Sequence, residues 1–174
     1  MNDDLEATAA GIKLLALDVD GVLTDGSIYY GNSGEELKAF NIKDGLGIKL
    51  LQQAGVQVAI ITGRQSATVA RRASELGISH VIQGREDKRE ALEELCSRCE
   101  IQISECAYMG DDLPDLGAIK ACGLGMTAAD ASDAVREAAL WQSDKIGGAG
   151  AVREACEFIL TARGDWASTV AGFD

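Results

Sequence analysis

Two carboxylates separated by one residue, Asp18 and Asp20, close the apolar run Leu14-Leu15-Ala16-Leu17 and are followed by Gly21. Side chains alternate along a strand, so both acids begin on one face at its C-terminal end. Gly21 allows the chain to turn away there. Two acids so placed repel each other unless a cation, a shared proton or both lie between them. Such pairs in turns are most often solvated surface, but the apolar run leading in argues for a buried strand instead. A calcium loop needs glycine at its sixth position and glutamate at its twelfth. Counted from Asp18, those positions hold Leu23 and Tyr29.

Three further stretches carry chemistry. Ala59-Ile60-Ile61-Thr62-Gly63-Arg64 ends a strand in a small hydroxyl, a glycine and a base. Thr62 can donate to an anion, Arg64 can make a forked pair, and the following helix offers its positive end. Thr62 as a simple helix cap is the competing explanation. Lys88 falls in the first turn of a charged helix, where a cation is disfavoured, although most such lysines are solvated. Tyr108-Met109-Gly110-Asp111-Asp112-Leu113-Pro114-Asp115 places three acids beside the only proline of the chain. A helix cap explains one aspartate; three at a strand end suit magnesium, which prefers a few carboxylates with waters and a phosphate.

Alternating apolar and amphipathic stretches must position these groups. Strands are expected over 13–17, 57–62, 80–83, 106–109, 123–126 and 140–142. Helices are expected over 44–53, 65–76, 87–98, 113–121, 131–137 and 151–162. That order predicts an α/β fold, doubly wound, with a mostly parallel Rossmann-like sheet and helices on both faces. Residues 27–40 break the rule and read as a β-hairpin around Gly31-Asn32-Ser33-Gly34. A chain of 174 residues is expected to form a single domain over 1–174, with peripheral tails at 1–11 and 165–174. The second tail carries Trp166, Val170 and Phe173, which suggests docking on the domain or on another subunit.

With 28 acids against 16 bases, the net charge of −12 argues against nucleic acid or an anionic membrane as partner. No signal peptide and no membrane span are expected, and five irregularly spaced cysteines fit reduced thiols in the cytoplasm. Cys96-Ser97-Arg98-Cys99 reads as two thiols on a helix face, since the chain has one histidine, His80. Gly123-Leu124-Gly125-Met126-Thr127-Ala128 has the spacing of a nucleotide-binding turn but lacks a strong strand before it.

The succession D-x-D-G-V, T-G-R, a lysine and G-D-D, from Asp18 to Asp115, resembles the haloacid dehalogenase superfamily of phosphatases. That resemblance implies Asp18 as nucleophile and Asp20 as general acid and base. Thr62 and Lys88 would stabilise the phosphoryl group, and Asp18, Asp111 and the backbone carbonyl of Asp20 would hold Mg²⁺. The chain between the motifs is too short for the cap domain common in the superfamily. It is similar to capless members acting on sugar-acid phosphates, in D-V-D-G-V-L-T-D-G, Phe40 to Lys49, G-D-D-L-P-D and Gly147 to Cys156. These imply substrate contacts at Asp20, Asn41, Ile42, Lys43, Asp44, Gly45, Lys49, Arg64, Arg72 and Lys88, and a homotetramer whose hairpin and tail meet a neighbour. They also imply a small-molecule sugar-acid phosphate as partner and a place in lipopolysaccharide biosynthesis. Arg64 favours an eight-carbon sugar acid over a nine-carbon, sialic-acid-type one, and Ala149 stands where Arg is usual. A non-catalytic subunit partnering a sugar-activating enzyme would need none of this acid and base set.

Overall fold

The computed structural model describes residues 3–173; Met1, Asn2 and Asp174 of the expected tails lie outside the described residues. The strands are β1 (Leu14–Leu17), β2 (Tyr29–Tyr30), β3 (Glu36–Leu37), β4 (Gln57–Thr62), β5 (His80–Gln83), β6 (Cys106–Met109), β7 (Leu124–Thr127) and β8 (Trp141–Gln142). The helices are α1 (Asp3–Ala10), α2 (Ile42–Gln53), α3 (Ala67–Leu76), α4 (Lys88–Arg98), α5 (Leu116–Ala121), α6 (Asp133–Ala138), α7 (Ala151–Ala162) and α8 (Trp166–Ala171). Six strands form one sheet in the order β5-β4-β1-β6-β7-β8, with every pairing parallel.

The sheet is covered on both sides, which is why β1 has no polar residue. Leu15 and Leu17 face a core built with α1, α2, α3 and α7, through residues such as Ile48, Leu51, Val69 and Ile159. Leu14 and Ala16 face the other core, with Leu92 and Leu95 of α4, Ile119 of α5 and Val135 of α6. Each leucine or isoleucine fully buried there contributes about 1.5–3 kcal/mol. The expected doubly wound fold is the one observed.

Register matters more for function. Leu17 pairs with Ile60 on one side and with Met109 on the other, so β1, β4 and β6 end at nearly one level. The chain winds outward from β1 to β4 and β5, then returns to β6 on the other side of β1. In such sheets that reversal opens a crevice at the C-terminal strand ends. Between Asp20 and Thr62 stand only the β2–β3 hairpin and α2, and between Thr62 and Lys88 only α3 and β5. Among the described residues no cap domain covers the crevice.

The element boundaries depart from expectation in instructive ways. Helix α2 starts two residues early because Asn41 caps it, accepting from the backbone N–H groups of Lys43 and Asp44. The expected helix over 113–121 opens as a 3₁₀ turn, Leu113–Asp115, before α5 begins. Both expected tails contain helices, α1 and α8, and Trp166 of α8 packs on the core. The sequence Gly123 to Ala128 is largely the buried strand β7, where a Cβ on Gly123 would meet the Ser104 carbonyl oxygen at 1.9 Å. It is not a nucleotide loop. No helix among the described residues is long and apolar enough to cross a membrane.

Candidate active site

Asp18 follows β1 directly, its backbone N–H bonded to the Met109 carbonyl of β6, so the sheet itself holds the residue. Its side chain is buried, and its Oδ1 lies 2.9 Å from Nζ of Lys88, also buried. Lys88 stands at the first position of α4 and pairs as well with Asp115 Oδ1 at 2.7 Å. Burial opposes the charge on Lys88, but Asp18 and Asp115 outweigh it and raise the lysine pKa. A buried ammonium is tolerable only with such partners.

Asp115 is the organiser of this corner. Its Oδ1 also accepts from the Tyr108 hydroxyl at 2.7 Å, and its Oδ2 accepts from the backbone N–H groups of Asp111 and Asp112 at 3.0 and 3.2 Å. Four donors therefore surround one carboxylate. Asp112 takes the capping role, accepting from Leu113 N at 2.8 Å with Pro114 in the first turn. Asp111 is left facing the cleft.

Asp18, Asp111 and Asp115 each offer an oxygen within 4.8 Å of the others, the one such group of His, Cys, Asp and Glu side chains among the described residues. Burial, then the Asp18 and Asp115 charges, push the Asp111 carboxyl up to about 7. Burial, then the Asp115 charge, push Asp18 up to about 6 against the pull of Lys88. Anionic charge in excess of the one lysine is what a divalent cation would neutralise. Because Asp115 already accepts four donors, Asp18 and Asp111 are the better ligands. The residues fit the group. Gly21 makes room: its φ is +94°, and a Cβ there would lie 2.0 Å from Asp111 Oδ2.

Thr62 ends β4, buried, four residues before Ser66, the residue that precedes α3; it lines the cleft and is not the cap of that helix. The cleft holds about 350 Å³ and is lined by Asp18, Asp20, Thr62, Arg64, Lys88 and Asp111, among others. Arg64 is reached by the hairpin: its Nη2 lies 3.0 Å from Glu36 Oε2 and 3.2 Å from the Tyr30 hydroxyl. Asp20 is paired with Lys38, which stands just past β3. All four sequence motifs thus meet at three adjacent strand ends and one helix start.

Comparison with known proteins bears on this arrangement. Residues 46–123 match the haloacid dehalogenase-like hydrolase family. The chain is 47% identical over 161 residues to the 3-deoxy-D-manno-octulosonate 8-phosphate phosphatase of Yersinia pestis, covering 92% of this chain and 86% of that protein. It is 46% identical over the same length to the phosphatase of that name from Escherichia coli K12. The chain belongs to this phosphatase family. The solved structure of the Moraxella catarrhalis phosphatase, in complex with magnesium ion, phosphate ion and KDO, matches with a TM-score of 0.98 and 48% identity over 100% of both chains. The cobalt-bound Haemophilus influenzae phosphatase matches with a TM-score of 0.91 and 40% identity, over 95% of this chain and 98% of that one.

As a member of that family, the chain is similar to its relatives over nearly its whole length, yet not every expected contact residue lines the cleft. Asn41 caps α2. Ile42, Lys43 and Lys49 are exposed along that helix. Asp44 and Gly45 are buried, and Asp44 Oδ1 accepts from Arg153 N of α7 at 2.8 Å. Arg72 packs over the Phe40 ring at 5.9 Å and lines a separate groove with Ile42. None of these residues is among those lining the cleft. Asp115, Tyr108, Glu36 and Lys38 entered no expected set, although Asp115 was visible as a third acid in its stretch. Cys99 Sγ lies 3.7 Å from His80 Nε2, and all five cysteines are free.

Proposed function

We propose that this protein hydrolyses 3-deoxy-D-manno-octulosonate 8-phosphate to 3-deoxy-D-manno-octulosonate and phosphate. The observation that carries the reading is the Asp18–Lys88 pair in an open cleft that also holds Asp20, Thr62, Arg64 and Asp111. Relatives 46–47% identical over 92% of the chain bear that activity in their names.

Asp18 is the nucleophile. Its carboxylate attacks phosphorus, the bond to the sugar C8 oxygen breaks, and an aspartyl-phosphate forms, splitting one hydrolysis into two easier steps. Asp20 gives a proton to the leaving alkoxide and later takes one from the attacking water. Lys88 and the Thr62 hydroxyl hold charge on the equatorial phosphoryl oxygens. Asp18, Asp111 and the backbone carbonyl of Asp20 are the residues that would hold Mg²⁺, which when bound supplies positive charge to the phosphoryl group. Arg64 offers the sugar carboxylate a forked partner, and Asn41 to Gly45, Lys49 and Arg72 complete recognition in the assembled enzyme.

The chain acts as one hydrolase domain over 1–174 and assembles as a homotetramer. Support for assembly comes from exposed apolar groups on the hairpin and tail, with Tyr30 at 70% and Phe173 at 67% exposure. Free thiols agree with a cytoplasmic enzyme, and the activity places it in lipopolysaccharide biosynthesis. The test is release of phosphate from the octulosonate 8-phosphate with Mg²⁺, set against a chelated sample and a nine-carbon sugar-acid phosphate. Faster turnover of the nine-carbon compound would overturn the substrate assignment.

A further inference from the structure

We propose that Lys38 is a positioning residue that fixes the carboxylate of Asp20 and thereby ties the hairpin to the reacting centre. The inference rests on the role given above to Asp20. Lys38 follows β3 on an otherwise exposed two-stranded hairpin, between Leu37 and Ala39, both exposed. A lysine there would ordinarily extend into water. Instead its side chain has 0% exposure and its Nζ is paired with Asp20 Oδ1. Burying an ammonium is costly unless it is paired, so the side chain is held across the gap by the carboxylates it reaches.

Those carboxylates belong to a continuous chain of polar groups. Nζ of Lys38 lies 3.9 Å from Glu36 Oε1, a buried oxygen with no hydrogen-bond partner. The other Glu36 oxygen binds Arg64, which also meets the Tyr30 hydroxyl. Thr68 of α3 donates to the Glu36 carbonyl at 3.5 Å, anchoring the strand that carries both residues. Arg64, two residues past β4, and Asp20, three residues past β1, are therefore connected through Glu36 and Lys38. Among the described residues no other side chain or backbone donor binds the Asp20 carboxylate. Without Lys38 that carboxylate would be free to rotate away from the leaving oxygen, and a displacement of about 1 Å can cost a hundredfold in rate.

The test compares Lys38→Met and Lys38→Arg with the wild-type enzyme, with magnesium present. Two substrates are used, the octulosonate 8-phosphate and para-nitrophenyl phosphate, with inorganic phosphate as competitive inhibitor. Lys38→Met is expected to lower kcat about ten- to a hundredfold, with KM and the phosphate inhibition constant moving less than about threefold. Lys38→Arg, which restores a cation, is expected to recover part of kcat. Wild-type kcat in Lys38→Met would overturn the proposal. So would a phosphate inhibition constant that rises in step with the loss, since Lys38 would then be a phosphate ligand. A loss explained by unfolded protein in a thermal melt would assign it a structural role and overturn the proposal too. A wild-type enzyme that hydrolyses nitrophenyl phosphate but not the sugar phosphate would contradict the substrate reading alone; the Lys38 comparison on nitrophenyl phosphate would still decide.

Discussion

Lys88 and Asp18 face each other at 2.9 Å with 5% and 7% of their side chains exposed, one from a helix start and the other from a strand end. Lys88 also holds Asp115, so a single ammonium serves two buried carboxylates. Replacing it by methionine removes a donor aimed at the phosphoryl site. The expected result is a fall in kcat of about two to three decades, the usual cost of one such donor. Steady-state kinetics would check it, and a loss under about threefold would argue that Lys88 serves the fold alone.

Gly21 is a steric gate for Asp111. Any Cβ there meets the Asp111 carboxylate and also strains a backbone at φ +94°. Gly21→Ala is expected to raise the magnesium concentration needed for half-maximal activity at least about tenfold, because the displaced group is the proposed ligand. An unchanged magnesium requirement would show that Asp111 does not hold the ion.

Magnesium should also be visible without turnover. A ion that binds only the folded state stabilises it by mass action, about 2.7 kcal/mol at a hundredfold excess over Kd. The melting temperature of the wild-type protein is expected to rise on adding magnesium. Asp111→Asn, which removes one of the two best-placed carboxylates, should abolish most of that increment. An equal rise in both proteins would move the ion elsewhere.

Asp44 carries a pH signature of its own. Burial raises its pKa, with the backbone N–H groups of Arg153 and Gly150 pulling the other way, and its Oδ2 is buried without a partner. The folded protein therefore keeps this proton where the unfolded chain has lost it. The stability it contributes is present below the unfolded pKa and is lost as pH rises through the higher, folded value. Asp44→Asn cannot ionise and escapes that loss. Its melting temperature relative to wild type should climb as pH increases from about 4 towards neutrality. A difference that stays flat with pH would contradict the assignment.

Much of this site was legible in the sequence, and the reasons are local. Asp18, Thr62 and Asp111 each sit where an apolar run meets a glycine-containing turn, and such runs declare strand ends. The hairpin announced itself through Gly31 to Gly34, and β3 ends within one residue of Lys38. What stayed hidden depends on contacts far apart in sequence. Lys38 reaches a carboxylate 18 residues earlier, and Asp44 caps α7 from 109 residues away. No periodicity or spacing rule encodes either. Helices α1 and α8 were missed because they are short, eight and six residues, and show little apolar periodicity. Helix α1 buries Ala9 in the core, and α8 has no buried residue, although Trp166 packs against the core. The cap that Asn41 Oδ1 makes at the start of α2 was likewise not read from the sequence, where Asn41 stood only as an expected substrate contact.

The central claim is that Asp18 forms a bond to phosphorus, and covalent capture tests it most directly. The enzyme would be quenched in acid during turnover of the octulosonate 8-phosphate, then digested and weighed by mass spectrometry. The expected result is one phosphoryl group on the peptide carrying Asp18, with none on that peptide and no phosphate release in Asp18→Asn. Phosphate release at the wild-type rate by Asp18→Asn would contradict it.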